Sequence, residues 1–342
     1  MRSDPPDGGP PAISPTAPRP AAGRRSRGRI VPRVRLVVAL ALLAVAVVIA
    51  GVIVAVTGPP SENDLLRQAG LIDKRQLLVG VKEDQPGVAL LNPQTGVFTG
   101  FDIDIAYMIA SDLGFRPTEV RFLPIESEDR LRMRARDLRT RETVTVDLVI
   151  ASYSITPARE AEGARFSAPY LRTEQSVLTP LGHKPVRALS DLKDERVCTL
   201  STSTSAAAMQ RAGIRDGRQE NEISECVQGL FDSREYQAVT TDAAILAGFM
   251  HDPRYRGRLI HHDIGLDADE DWGVNVGPNE ALRKLVNLSL YRSWHDPGDR
   301  RWEDAFDRHL RPLQVDSPSQ DVAIDNQPEV HRPAVREWPW QR

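Results

Sequence analysis

Hydrophobic and polar positions divide the chain into four stretches. Leu36 to Val56 is an uncharged apolar run of 21 residues, long enough as a helix to span roughly 30 Å, the thickness of a bilayer's hydrocarbon core. Past residue 75 the pattern changes to short apolar runs separated by amphipathic ones. Gln76–Lys82, Glu119–Leu123 and Val146–Ala151 read as strands. Asp102–Leu113 reads as a helix, because Ile105 and Ile109, and Ala106 and Ala110, fall at i, i+4; Gly114 stands where a C-cap belongs. After Leu181 the pattern repeats. Arg196–Leu200, Gln237–Thr240 and Trp272–Val276 read as strands, and Ser205–Ala212, Asp242–Phe249 and Glu280–Trp294 as helices. Strands alternating with helices in two successive blocks predict an α/β fold of two lobes built on mostly parallel sheet.

The flanks of the apolar run orient it. Six arginines between Arg24 and Arg35 precede it, and uncharged or acidic residues follow (Pro59, Pro60, Ser61, Glu62). The positive-inside rule then puts the amino terminus in the cytoplasm and everything after residue 58 outside. A retained signal anchor over 34–57 is the expectation, because secretory apolar regions are shorter; a cleaved signal peptide and a buried core helix are the alternatives. Residues 1–33, rich in Pro, Gly, Ala and Arg, are expected as a disordered basic cytoplasmic tail. Residues 58–71 are expected as a linker. Residues 313–342, with Pro318, Pro328, Pro333 and Pro339, are expected as a loosely ordered tail whose Trp338 and Trp340 are free to dock.

Charge adds to this picture. Residues 1–35 hold eight arginines and two aspartates, a local +6 on a chain of net charge −3, which leaves −9 on the remainder. A basic tail on an acidic body argues against nucleic acid and for an anionic membrane surface. Cys198 and Cys226 are the only cysteines; outside the membrane such a pair is expected to be oxidised. Two cysteines alone do not make a structural zinc site, and His251, His261 and His262 lack metal-ligand spacing, so no metal or cofactor is expected.

Candidate chemistry concentrates in Asp147–Tyr170. There an apolar strand runs into Ser152, Ser154 and Thr156, then Arg159. Hydroxyls, free amides and one guanidinium at a strand end suit a carboxylate, whose two oxygens match the Arg fork. Lys82, Ser152, Thr204 and Asp242 each follow a predicted strand. Ligand sites in open α/β sheets lie at those ends, so residues from both halves would face one another across a cleft.

Six stretches, LLVGVKEDQPG, TGFDIDIAYMIASDLG, DLVIASYSIT, ARFSAPY, VCTLSTSTS and AVTTDAAILAGF, occur in the order seen in a known family. Over roughly residues 76–312 the chain resembles the extracytoplasmic amino-acid-binding proteins of ABC transporters (solute-binding family 3), in particular the glutamate/aspartate-binding branch of actinobacteria. The resemblance implies a Venus-flytrap fold with hinge crossings near Ser176–Leu181 and Asp271–Val276, lobe one over 72–178 and 275–312, and lobe two over 183–270. It implies that Arg159 grips a ligand α-carboxylate, helped by the Ser154 amide and by Thr204 from lobe two. Asp242 would hold the α-ammonium with Ser152. Lys82 and Arg130 would select the side chain, favouring glutamate, aspartate or their amides. Thr202 stands where many relatives have Gly. Residues 131–145 are longer than the usual connection and carry five arginines, expected as a solvated helix face or, alternatively, a docking surface for a membrane partner.

The resemblance implies a monomeric, non-enzymatic receptor that delivers an amino acid to an ABC permease. Two alternatives remain open: a sensor coupled to a membrane signalling protein and a Ser/Thr kinase, and an enzyme like the cyclohexadienyl dehydratases, which use the same fold.

Overall fold

The structure, a computed structural model, describes residues 32–264 and 269–336. The basic tail expected over most of 1–33, and Trp338 and Trp340, lie outside the described residues. The amino-terminal unit contains one helix, α1 (Pro32–Thr57). It is long and apolar enough to cross a membrane, and its apolar side chains from Val34 to Ile49 are exposed.

The second unit begins at Pro59. Its strands are β1 (Leu77–Val81), β2 (Asp84–Gln85), β3 (Ala89–Asn92), β4 (Val97–Thr99), β5 (Val120–Pro124), β6 (Arg134–Arg136), β7 (Thr143–Thr145), β8 (Leu148–Val149), β9 (Phe166–Pro180), β10 (Arg196–Leu200), β11 (Asp216–Glu220), β12 (Ala238–Asp242), β13 (Leu259–His262) and β14 (Asp269–Asn275). Its helices are α2 (Glu62–Gln68), α3 (Phe101–Asp112), α4 (Pro157–Ala161), α5 (Thr204–Arg211), α6 (Ile223–Gln228), α7 (Ala243–His251), α8 (Glu280–His295) and α9 (Arg301–His309). The main sheet runs β11-β10-β12-β9-β14-β8-β1-β5, with β13 also on β9. Pairing is parallel for β8-β1-β5 and for β11-β10-β12, and antiparallel around β9 and β14. Five of the six runs read as strands correspond to parallel strands of this sheet, β1, β5, β8, β10 and β12, of which β1 and β8 are apolar throughout; the sixth, Trp272–Val276, lies on the antiparallel β14.

The 15-residue strand β9 joins the lobes. Up to Glu174 it pairs with β14, and from Gln175 it pairs with β12 and β13. The exchange of partners thus falls before Ser176–Leu181. No turn residue marks it, because the strand itself is unbroken. Lobe one holds β5, β1, β8, β14 and the first half of β9; lobe two holds the second half of β9 with β12, β10, β11 and β13. In lobe one Phe101, Trp302 and Phe306 stack and cross at 5.2–6.4 Å between ring centroids, and the Trp302 indole donates to the Tyr170 carbonyl at 2.7 Å. In lobe two a disulfide joins Cys198 of β10 to Cys226 of α6.

Three segments differ from expectation. The supposed linker contains α2, opened by a reciprocal Ser61–Asp64 capping box, and it packs on α8 through buried Leu65 and an Arg292–Glu62 ion pair. The arginine-rich segment is a β-hairpin, β6 with β7, and not a helix face. Met133 and Ala135 point inward while Arg132, Arg134 and Arg136 point out; this period of two is satisfied by a strand and not by a helix. Third, the chain beyond 313 is packed. Val322, Val330 and Val335 are buried in the main core, Thr173 donates to the Val322 carbonyl at 2.8 Å, and the Arg336 amide donates to Pro60 at 2.9 Å. Its prolines prevent regular structure without preventing burial.

Candidate functional site

Where β8 ends, the chain turns sharply at Ser152, whose φ of 43° is unusual for a residue with a Cβ. Asp102, in the first turn of α3, stabilises this turn. One carboxylate oxygen accepts the Ser152 amide at 2.9 Å, the other the Tyr170 hydroxyl at 2.9 Å. Burial pushes the Asp102 carboxyl up to about 7, against the pull of these two bonds. The Ser152 hydroxyl donates to Gln85 at 3.1 Å.

Four residues on, Thr156 caps α4 by accepting the Arg159 amide at 3.2 Å, with Pro157 at the first helical position. The Arg159 side chain turns back to the strand end. It donates to the Ser154 carbonyl at 2.6 Å and, across the lobes, to the Thr202 carbonyl at 3.0 Å. Arg130 comes from the other side of the same strand end. It donates to the carbonyls of Ser127 (3.2 Å), Ala151 (3.3 Å) and Ser152 (3.4 Å), while its buried Nη2 has no partner among the described residues. Both guanidiniums lie 4.6 Å from the centroid of the Tyr153 ring, within cation–π range. Burial pulls the Arg130 guanidinium down to about 9, and the charge of Arg159 adds to the effect. The same desolvation lowers Arg159. Among the described residues neither buried guanidinium bonds a carboxylate, an arrangement whose uncompensated charge suits an anion.

Lobe two supplies the opposite charge. Asp242 ends β12 and occupies the N-cap position of α7, yet its side chain makes no capping bond. It accepts the buried Trp272 indole N–H at 2.6 Å instead. Burial, with the charge of Glu270 adding, pushes its carboxyl up to about 7; Trp272, Arg159 and Arg130 oppose the shift. Thr204 opens α5, two residues beyond the Thr202 carbonyl that receives Arg159; Ser203 caps the helix by accepting the Ala206 amide at 3.0 Å. Thr202 itself has φ 52°, the left-handed conformation that glycine adopts without strain. Lys82, at the end of β1, is 2 % exposed and donates to the Asn221 carbonyl at 3.2 Å. Burial lowers it, with Asp84 acting against the shift.

Arg159, Arg130, Ser152, Ser154 and Asp242 thus converge around Tyr153 and Trp272, with Thr204 two residues beyond the Thr202 contact and Lys82 buried after β1, where the Arg130 charge acts on it. Sequence reasoning missed Asp102, Tyr153, Tyr170 and Trp272. Asp102 had a signal: a carboxylate inside an otherwise apolar helical face. Among the described residues no group of three or more His, Cys, Asp or Glu is placed to hold a metal. His261 is fully buried, kept neutral by burial, and hydrogen-bonded to the Ser317 hydroxyl at 3.0 Å.

The chain is similar to several known proteins. The chain is 29 % identical to the glutamate-binding protein GluB of Corynebacterium efficiens over 283 residues, covering 78 % of the chain and 90 % of the relative. It is 31 % identical to the Corynebacterium glutamicum GluB over 265 residues, covering 73 % and 84 %, and 29 % identical to the ABC transporter glutamine-binding protein GlnH of Bacillus subtilis over 253 residues, covering 73 % and 86 %. Among solved structures, the solute receptor for L-cysteine of Neisseria gonorrhoeae superposes with a TM-score of 0.63 at 24 % identity, covering 77 % of this chain and 99 % of that one. An ancestral amino-acid-binding protein described as a precursor of cyclohexadienyl dehydratase gives 0.59 at 22 %, covering 72 % and 100 %. At these identities the structures establish the fold alone. Residues 77–314 match the family model of bacterial extracellular solute-binding proteins, family 3, and the chain belongs to that family.

Proposed function

We propose that the protein is a membrane-tethered extracellular receptor for an acidic amino acid, glutamate or aspartate, and that it hands this ligand to an ABC permease. The observation that supports this reading is a pair of buried opposite charges: Arg159 in lobe one and Asp242 in lobe two, each acting electrostatically on the other. A zwitterion placed between them meets the guanidinium with its carboxylate and Asp242 with its ammonium. It bonds both lobes at once and so favours the closed state by differential affinity. Ser154 and Thr204 complete the carboxylate seat, and Ser152 supports the ammonium end. The unpartnered Nη2 of Arg130 favours a second carboxylate over an amide, because a neutral ligand leaves a desolvated cation uncompensated.

On this reading α1 stays in the membrane as the tether. No step of binding and release needs an enzyme, and one chain is sufficient. Amino-acid binding by other family members, including GluB and GlnH, agrees with this reading. The test is calorimetric titration of the detergent-solubilised chain with each of the twenty amino acids. Glutamate or aspartate is expected to bind at least tenfold more tightly than glutamine or asparagine. A basic or apolar preference would overturn the assignment.

Sensing is a second reading, favoured by the packed segment that continues past the family match at residue 314. Reconstitution with candidate partners separates the two: a permease whose ATPase responds to the loaded receptor, or a signalling protein that binds it.

A further inference from the structure

We propose that Lys82 and Asp84 form a latch between the lobes and that the Lys82 ammonium serves closure, not recognition of the ligand side chain. The inference rests on the reading that the two lobes close over an amino acid, and it adds two positioning residues to that reading.

Residues 82–86 leave the end of β1 and touch lobe two at three points. Lys82 donates to the Asn221 carbonyl at 3.2 Å. Asp84 accepts the Ser224 amide at 3.0 Å. Pro86 lies so close to α7 that a Cβ on Gly248 would fall 1.9 Å from the Pro86 carbonyl oxygen, so only glycine fits there. The two hydrogen-bonded pairs join residues about 140 positions apart in sequence. Both charged side chains are buried, at 2 % and 8 % exposure. A buried lysine or aspartate is costly unless it is paired; here each side chain hydrogen-bonds a backbone group of lobe two, and the Asp84 carboxylate also acts electrostatically on the Lys82 ammonium.

The partners on the receiving side are backbone groups. The latch therefore depends on where residues 221–224 sit, not on which side chains they carry. That position is fixed. The segment leads into α6, and Cys226 of α6 is joined by the disulfide to Cys198 of β10. The same β10 runs into Thr202, whose carbonyl receives Arg159. The latch and the Arg159 contact thus bear on one rigid part of lobe two, and a load on either is transmitted to the other. Lys82, with its ammonium held by Asn221, does not set the choice between a carboxylate and an amide; that choice is left to Arg130.

Two measurements on the full chain in detergent test the latch. The first needs no ligand. Spin labels on Gln94→Cys in lobe one and Lys193→Cys in lobe two, both exposed positions, report the distance between lobes by pulsed electron resonance. Asp84→Ala is expected to move the ligand-free population toward longer distances, and Asp84→Asn, whose side-chain oxygen still accepts the Ser224 amide, to restore the short ones. The second is stopped-flow with L-glutamate and L-glutamine. Asp84→Ala and Lys82→Met are each expected to raise the dissociation rate about tenfold, the scale of one lost hydrogen bond. The factor should be the same for both ligands, with association changed less than twofold. An unchanged distance distribution in Asp84→Ala would overturn the latch, as would a Lys82→Met variant whose glutamate-to-glutamine preference shifts. Failure of the wild-type chain to bind either ligand would refute the receptor reading, while the distance measurement would still decide the latch.

Discussion

Arg159 of lobe one donates to the main-chain carbonyl of Thr202 in lobe two at 3.0 Å, and Thr202 holds that carbonyl in place from a left-handed backbone conformation, φ 52°. A β-branched residue there is strained, by about 1–3 kcal/mol. Replacing Thr202 by Gly removes the strain and adds unfolded-state entropy of about 0.5–1 kcal/mol. Thr202→Gly is therefore expected to stabilise the fold by about 1 kcal/mol, read as a raised midpoint in urea unfolding. A lowered midpoint would mean that the Thr side chain makes a stabilising contact.

Arg159 is expected to dominate affinity. Truncating one partner of a buried charge pair costs about 2–5 kcal/mol, so Arg159→Ala should weaken amino-acid binding by at least 30-fold in calorimetry. Arg159→Lys should recover little, because one ammonium does not reproduce the two-pronged fork. Undiminished affinity in Arg159→Ala would remove this residue from the site.

The pH dependence has a defined sign. Asp242 and Asp102 are both raised from the ordinary 3.8 to about 7 by burial. Between those values the native chain keeps protons that the unfolded chain has lost. Protonation of these groups therefore favours folding of the ligand-free protein fully below about pH 3.8, and that contribution shrinks steadily above it and is lost as pH rises through about 7. Ligand affinity should move the other way. An ammonium needs Asp242 ionised, so binding should weaken by up to tenfold per pH unit below 7, with proton release on binding. Asp242→Asn should bind weakly and without that slope. An affinity independent of pH between 5.5 and 8 would argue against Asp242 as the ammonium's partner.

The disulfide closes a loop of 28 residues between Cys198 and Cys226. Loop entropy alone assigns it about 3–4 kcal/mol. The Cys198→Ser, Cys226→Ser double variant should lose stability on that scale. Because α6 carries Ser224, its ligand dissociation should also quicken.

The carboxy-terminal segment should be needed for stability. Removing residues 317–336 exposes the surfaces now covered by Val322, Val330 and Val335. Each buried valine is worth up to about 1.5–3 kcal/mol, so the truncated chain should melt well below the full one. An unchanged melting temperature would mean that the segment packs without holding.

The sequence alone was sufficient for much of the fold and for placing the candidate site residues near strand ends. Asp242 was legible as a candidate because it ends its strand, and Arg159 because it follows the hydroxyl-rich turn beyond β8; strand ends are where such sheets bind ligands. The hinge was legible only in outline, since β9 exchanges partners between Glu174 and Gln175 within one unbroken extended run. The arginine hairpin was misread because charge conceals a period of two when the inward positions, Met133, Ala135 and Asp137, include only two apolar side chains. Asp102 under Ser152, Trp272 on Asp242, the latch at residues 82–84 and the packed carboxy terminus all join residues far apart in the chain. Local propensity records what a residue favours within a turn or two. Which distant backbone covers a charge, and whether a proline-rich segment finds a core to bury in, is decided only when the two lobes and residues 314–336 pack together, because burial is a property of the whole assembly of elements.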